Sequence, residues 1–101
     1  MVKDAATKEV RVTLADFDID MPDMLPAGRT TFTVDNRGER PHGLKIEGKG
    51  IITGLEDDLQ PGEAGELTVD LYPGVYSAFC PFEDHEERGM FIDFRVIQPG
   101  T

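Results

Sequence analysis

The sequence lacks the features by which proteins bind nucleic acid, cross-link themselves through disulfides or span membranes. Lys and Arg number 10 against 20 Asp and Glu, which gives a net charge of −10. Nucleic acids and anionic membranes attract basic proteins, so this charge disfavours both as partners and leaves a basic protein partner open. Cys80 is the only cysteine, so no disulfide can form within the chain. No stretch approaches the about 20 apolar residues of a membrane span.

The chain length predicts a small carrier or accessory module. With 101 residues it fits one compact domain, 1–101, with little room for a large enclosed active site. We expect this domain to be a monomer. Residues 1–7 contain no apolar segment of signal-peptide length, so the sequence reads like a mature form, and a leader has been removed from it if the protein is exported.

Apolar residues recur with a period of two, the pattern of strands that have one face on a core and the other in water. Turns containing glycine or proline separate these runs. The pattern predicts an all-β sandwich or barrel. Residues 48–60 show no clean alternation, and we expect a long connection without regular structure there. The alternating runs are 10–14, 17–21, 32–34, 44–46, 67–71 and 90–96.

The residues that carry chemistry cluster in one short loop. Cys80, His85 and Met90 are spaced as C-x4-H-x4-M between two predicted strands. A thiolate, an imidazole and a thioether suit copper that cycles between Cu(I) and Cu(II), since soft sulfur favours the reduced ion and imidazole suits both. His42 shares the parity of Leu44, so its ring is predicted to point inward from another strand, as the fourth ligand.

Each of these residues also has an ordinary structural interpretation. A lone cysteine at a strand end is most often a small buried hydrophobe, and Met90 alone would be core filler. His85 alone would be an exposed loop residue, and His42 a satisfied core or turn residue. Their conjunction favours a metal site, because a trigonal His2Cys site with a weak axial Met requires this set of side chains.

Further motifs extend this pattern over most of the chain, from Val10 to Val96. They are residues 31–38 leading to His42, 59–62, 71–76 leading to Cys80, and 89–90. With them, the sequence resembles the cupredoxin superfamily of type 1 blue copper proteins, such as plastocyanins, azurins and rusticyanin-like bacterial proteins. The loop spacing looks closer to the rusticyanin-like members than to plastocyanin. The resemblance implies a Greek-key β-sandwich of about seven to eight strands.

The resemblance also implies a function. One type 1 copper ion, held by His42, Cys80, His85 and Met90, would carry single electrons between larger redox proteins. All the protein ligands are then used, so we expect no enzymatic activity. The implied location is periplasmic or extracellular. The alternative function is copper carriage or storage without electron transfer, and a metal-free interaction module ranks last because all four ligand residues are present.

The loop around His85 is strongly acidic. By resemblance, this histidine lies near the surface and gives the electron its exit. Four carboxylates surround it with only Arg88 opposing, which predicts a docking face for a basic partner such as a cytochrome or an oxidase domain. The alternative is a solvated acidic loop without a partner role. The four residues are Glu83, Asp84, Glu86 and Glu87.

One departure from the family follows His42. Many members have an asparagine there, which ties the two ligand-bearing segments together, whereas this sequence has Gly43. The tether is therefore missing or replaced, which bears on loop rigidity and reduction potential more than on copper binding. We expect Pro41 to supply part of the stiffness by restricting the backbone before His42.

Overall fold

The computed structural model describes residues 8–82 and 89–98, and their strands form two sheets. No helix occurs within these ranges. The strands are β1 (Lys8–Ala15), β2 (Asp18–Asp20), β3 (Met24–Pro26), β4 (Gly28–Asn36), β5 (Lys45–Gly48), β6 (Ile51–Gly54), β7 (Ala64–Leu71), β8 (Gly74–Phe79) and β9 (Phe91–Ile97).

One sheet has the strand order β2-β1-β4-β7 and the other β3-β9-β8-β5-β6. The β1–β4 and β3–β9 pairs are parallel, and the remaining pairs are antiparallel. The predicted all-β sandwich is confirmed, and the nine strands are close to the expected seven to eight. The described part of the chain includes no helix long and apolar enough to cross a membrane.

The core lies between the sheets and is formed by the inward-facing residues of the alternating runs. Phe32 on β4 and Phe94 on β9 meet edge to face across the sheets, with ring centroids 6.3 Å apart. Tyr76 on β8 stacks on Phe94 at 5.4 Å. Its hydroxyl donates to the Tyr72 carbonyl and accepts from the Tyr72 N–H, both at 2.9 Å. Burying each such ring stabilises the fold by about 1.5–3 kcal/mol.

The expectation of a structureless connection at 48–60 is wrong for part of that segment, since β6 pairs with β5 as a hairpin. Lys49 and Gly50, both with positive φ, form the two-residue turn between the paired Gly48 and Ile51. β6 is an edge strand, and Ile52 is 71% exposed on it. An apolar residue on the solvent side interrupts the polar–apolar alternation, so the period-two pattern could not reveal this strand.

The run at 17–21 is also shorter as a strand than its alternation suggests. β2 spans only Asp18–Asp20, because the chain turns at Asp16 and Phe17 to pair β2 with β1. Ile19 and Met21 are buried as the alternation predicts. The β1–β2 turn lies at the same end of the sandwich as the end of β4, since Leu14 pairs with Asn36 there. We call this end the site end.

Candidate metal centre

His42 is held at the site end by a backbone bridge to the segment before β7. Its N–H donates to the Leu59 carbonyl at 3.0 Å, and its carbonyl accepts from the Leu59 N–H at 2.8 Å. The histidine is 0% exposed, so the prediction from parity that its ring points inward is confirmed. Two backbone hydrogen bonds thus fix the position from which the imidazole enters the core.

The buried side chain of Asn36 shapes the loop that leads to His42. Its amide group donates to the Arg40 and Leu59 carbonyls, both at 2.9 Å. Its side-chain oxygen accepts from the Gly38 N–H at 2.9 Å. All its hydrogen bonds therefore stabilise the 37–42 loop and the strand bridge beside it, which satisfies a polar group that would otherwise be costly to bury.

Cys80 and Met90 extend the β8–β9 ladder by one pair towards the site end. The Cys80 N–H donates to the Met90 carbonyl at 3.1 Å, directly beyond the Phe79–Phe91 pair. Because side chains alternate along a strand, Cys80 and Met90 face inward where Phe79 and Phe91 face outward. The cysteine is 1% and the methionine 0% exposed. Both sulfurs are thus carried on backbone that is fixed to the sheet.

The distance between two of the predicted ligand atoms fits a shared metal ion. His42 Nδ1 and Cys80 Sγ lie 3.9 Å apart in the buried site. Ligands at about 2.1 Å (N) and 2.3 Å (S) from a first-row metal, at a trigonal angle, would be about 3.8 Å apart. An imidazole nitrogen and a thiol at this separation fit copper in both chemistry and spacing.

The other ring nitrogen of His42 is bound to a carboxylate. Nε2 lies 2.7 Å from Oδ1 of Asp16 in the β1–β2 turn. This hydrogen bond is the main reason why the pKa of Asp16 is below its ordinary value, with smaller contributions from the Glu39 N–H and from the charges of His42 and Arg40. Burial opposes the shift. The imidazole is therefore oriented with Nδ1 towards Cys80.

The residue next to Asp16 adopts a strained conformation beside the site. Phe17 has φ of 114°, a region that a bulky residue enters only at a cost of about 1–3 kcal/mol. Its ring meets the His42 ring edge to face at 6.4 Å, and the Arg40 guanidinium lies 5.4 Å from its centroid. A Cβ on Gly89 would lie 3.3 Å from the Phe17 carbonyl oxygen, so the turn packs closely on the residue before Met90.

The structure places three of the four predicted ligands at the site end, namely His42, Cys80 and Met90. The fourth, His85, lies outside the described residues, as do the predicted docking residues Glu83, Asp84, Glu86 and Glu87. Within 8–82 and 89–98, no three His, Cys, Asp or Glu side chains form a group that could hold a metal ion.

Sequence reasoning did not identify Asp16, although the carboxylate contacts a predicted ligand. In the sequence it is one of several aspartates that alternate with apolar residues, and this pattern indicates only the solvent-facing side of a strand. Asn36 was part of a family motif but carried no assigned role. The β1–β2 turn with Asp16 lies next to the His42 loop because β1 and β4 are parallel neighbours. The sequence alone does not show this pairing.

Comparisons with known proteins agree with this architecture. Residues 2–92 match the family model of the cupredoxin-like domain. No curated protein sequence matches the chain. Auracyanin from the photosynthetic bacterium Roseiflexus castenholzii superposes with a TM-score of 0.71 at 18% identity, over 92% of this chain and 98% of its own.

Two further solved structures share the fold. Rusticyanin from Thiobacillus ferrooxidans has a TM-score of 0.74 at 19% identity, over 93% of this chain and 79% of its own. A multicopper oxidase has a TM-score of 0.70 at 18% identity, over 91% of this chain and 42% of its own. Because the family model spans most of the sequence and the solved structures share its architecture, the chain belongs to the cupredoxin-like domain family.

Proposed function

We propose that this protein is a type 1 copper protein that carries one electron at a time between redox proteins. The observation that carries the proposal is the pair of His42 Nδ1 and Cys80 Sγ, 3.9 Å apart and buried at the site end. With Met90 beside Cys80 on the β8–β9 ladder, the proposed ligand set is His42, Cys80, His85 and Met90. Copper, when bound, supplies a one-electron couple between Cu(I) and Cu(II).

The protein holds these side chains in fixed positions and shields them from water. His42 is fixed by two hydrogen bonds to Leu59, and Cys80 by one to Met90. All three ligands among the described residues are at most 1% exposed, so water has little access to them. Ligands on fixed backbone change position little between oxidation states, which keeps the reorganisation small and favours rapid electron transfer.

We propose a carrier and not an enzyme. With four protein ligands, no coordination position remains open for a substrate. This chain also shares its fold with auracyanin over nearly the full length of both proteins. The multicopper oxidase resembles this chain over only 42% of its own length.

The proposed partners are redox proteins with a basic contact face, such as a cytochrome or an oxidase domain. The net charge of −10 favours such partners. By likeness to the family, we propose a periplasmic or extracellular location and a monomeric state.

Adding Cu(II) to the metal-free protein and recording a visible spectrum tests the proposal. We expect an intense visible absorption band from thiolate-to-copper charge transfer, which gives the protein a blue or green colour. We expect Cys80→Ser to abolish this band. Circular dichroism should show that the variant keeps its fold. A wild-type protein that stays colourless after copper loading would contradict the proposal. Copper that binds but cannot be reduced and reoxidised reversibly would favour copper carriage or storage.

A further inference from the structure

Asp16 lies outside the predicted ligand set but contacts one of its members. We propose that Asp16 is a positioning residue of the metal centre: its carboxylate fixes the tautomer of His42 and makes the bound metal prefer Cu(II) over Cu(I). The tautomer of His42 is a property of the protein alone, whereas the preference for Cu(II) rests on the proposed function.

The contact is short and made to a fully buried ring. Asp16 Oδ1 lies 2.7 Å from Nε2 of His42, whose side chain is 0% exposed, while the Asp16 side chain is 25% exposed. A carboxylate only accepts, so Nε2 carries the proton and donates it. In the neutral ring Nδ1 then has the lone pair, and Nδ1 is the nitrogen that faces Cys80 Sγ at 3.9 Å. The carboxylate therefore selects the tautomer that can bind a metal next to the thiol.

Asp16 is itself held in place before any metal arrives. The Glu39 N–H lies 3.2 Å from both carboxylate oxygens, and the Arg40 Nε lies 3.9 Å from Oδ2. Gly38 leaves the space that the contact needs, because a Cβ there would overlap Oδ1 of Asp16 and lie 3.0 Å from Nε2 of His42. Glu39 and Arg40 thus hold the carboxylate in place while it accepts from His42.

The carboxylate that accepts from His42 Nε2 is expected to affect the bound metal as well as the ring. Hydrogen bonds to a carboxylate are stronger than those to a neutral acceptor, and they raise the basicity of a ligating imidazole. A negative charge one ring away also stabilises the more highly charged ion. Arg40 offsets part of this charge, but its side chain is 58% exposed and its effect is screened by water. Both effects favour Cu(II) and lower the reduction potential.

Asp16→Asn tests the effect on the metal, since the amide oxygen can still accept from Nε2 but carries no charge. Asp18→Asn is the matched control, because Asp18 is an exposed aspartate at the start of β2 in the same hairpin. We expect Asp16→Asn to weaken Cu(II) binding about 10–100-fold and to weaken Cu(I) binding less. Each tenfold difference between the two losses raises the potential by about 59 mV. Equal potentials in the two variants would overturn the proposal.

Nitrogen-15 spectra of the metal-free protein test the tautomer without copper and without relying on a variant that folds. When the ring is neutral, His42 should be a single Nε2–H tautomer in the wild type. Asp16→Ala should give a mixture of tautomers. A wild-type ring protonated at Nδ1 would overturn the inference. If the wild type binds no copper, the proposed function fails, whereas the tautomer measurement still decides the role of Asp16 towards His42.

Discussion

The Pro81 ring packs so closely against Gly43 that a Cβ at residue 43 would be tighter than ordinary van der Waals contact with the ring. A Cβ on Gly43 would lie 3.2 Å and 3.3 Å from Cδ and Cγ of Pro81, and 2.9 Å from Oδ1 of Asp58. The two residues directly follow His42 and Cys80, so the two segments touch immediately beside these proposed ligands. Direct packing therefore stands where many family members have an asparagine tether.

Gly43→Ala should destabilise the protein by about 1–3 kcal/mol, because the added methyl group must displace a proline ring next to Cys80. Urea unfolding measures the change in the free energy of unfolding. Gly65→Ala is the matched control: its Cβ would lie 3.3 Å and 3.4 Å from leucine methyl groups, which can move. Adding Pro81→Ala to Gly43→Ala should recover part of the loss, and strictly additive effects would show that the two segments are not coupled.

Removing the Asn36 side chain should loosen the loop that presents His42. Asn36→Ala leaves two carbonyls and one N–H without the partners described above, which we expect to cost about 1–3 kcal/mol in unfolding free energy. Thr31→Ala is a control on the same strand, because its hydroxyl makes only an exposed hydrogen bond to Thr68, and it should cost less than about 0.5 kcal/mol. A similar loss in both variants would mean that the Asn36 network contributes little.

The sequence allowed much of the fold to be predicted because most strands have one face on the core. The alternation of β1, β4 and β9 follows the observed burial, and the parity of His42 correctly predicted a buried ring. The two edge strands of the five-stranded sheet did not show this pattern: β6 exposes Ile52, and β3 has only three residues. Both are defined by the strands they pair with, which period alone does not show.

The residue types and their spacing were enough to propose the ligands, whereas the contacts that support these residues could not be predicted. Asp16 lies 26 positions from His42, and the two meet only because the β1–β2 turn and the end of β4 share one end of the sandwich. The close approach of Gly43 and Pro81 likewise depends on how two segments from different strands pack. Such contacts follow from topology and register. The sequence therefore showed that the asparagine tether is absent, but it could not show which contact replaces it.

Met90 is expected to be the axial ligand, and Met90→Leu should keep copper bound while raising the reduction potential. Soft sulfur is compatible with Cu(I), but the more positive Cu(II) depends more on each additional donor. Losing the weak donation of the thioether therefore costs Cu(II) more than Cu(I) and raises the potential. Met24 pairs with Arg95 on β9. Arg95 is five residues from Met90, which corresponds to roughly 16 Å along a strand. The Met24 side chain is also 55% exposed. Met21 is buried after β2. Redox titration of all three Met→Leu variants decides the assignment, and a shift confined to Met21→Leu or Met24→Leu would transfer it.

The acidic segment around His85 is expected to steer a basic electron-transfer partner. Opposite charges raise the encounter rate by roughly ten- to a thousandfold at low salt, and the gain fades as the Debye length shrinks to about 8 Å near physiological ionic strength. The rate constant with a basic cytochrome, measured by stopped flow, should therefore fall steeply with added salt. Conversion of four acids to their amides should lower this rate and flatten its salt dependence. The four are Glu83, Asp84, Glu86 and Glu87.

A control of equal net charge separates local docking from the diffuse field of the whole protein. Four exposed acids on strands β2, β5 and β7 serve this purpose when converted to amides, namely Asp20, Glu47, Glu66 and Asp70. The control should retain most of the wild-type rate, because charges beside the electron exit act where the two proteins touch. Both variants should keep the copper spectrum, since none of the eight residues is a proposed ligand. If the two variants slowed the reaction equally, only the net charge of −10 would steer the partner. If the acidic-segment variant reacted at the wild-type rate with the same salt slope, the segment would be a solvated surface and the partner would dock elsewhere.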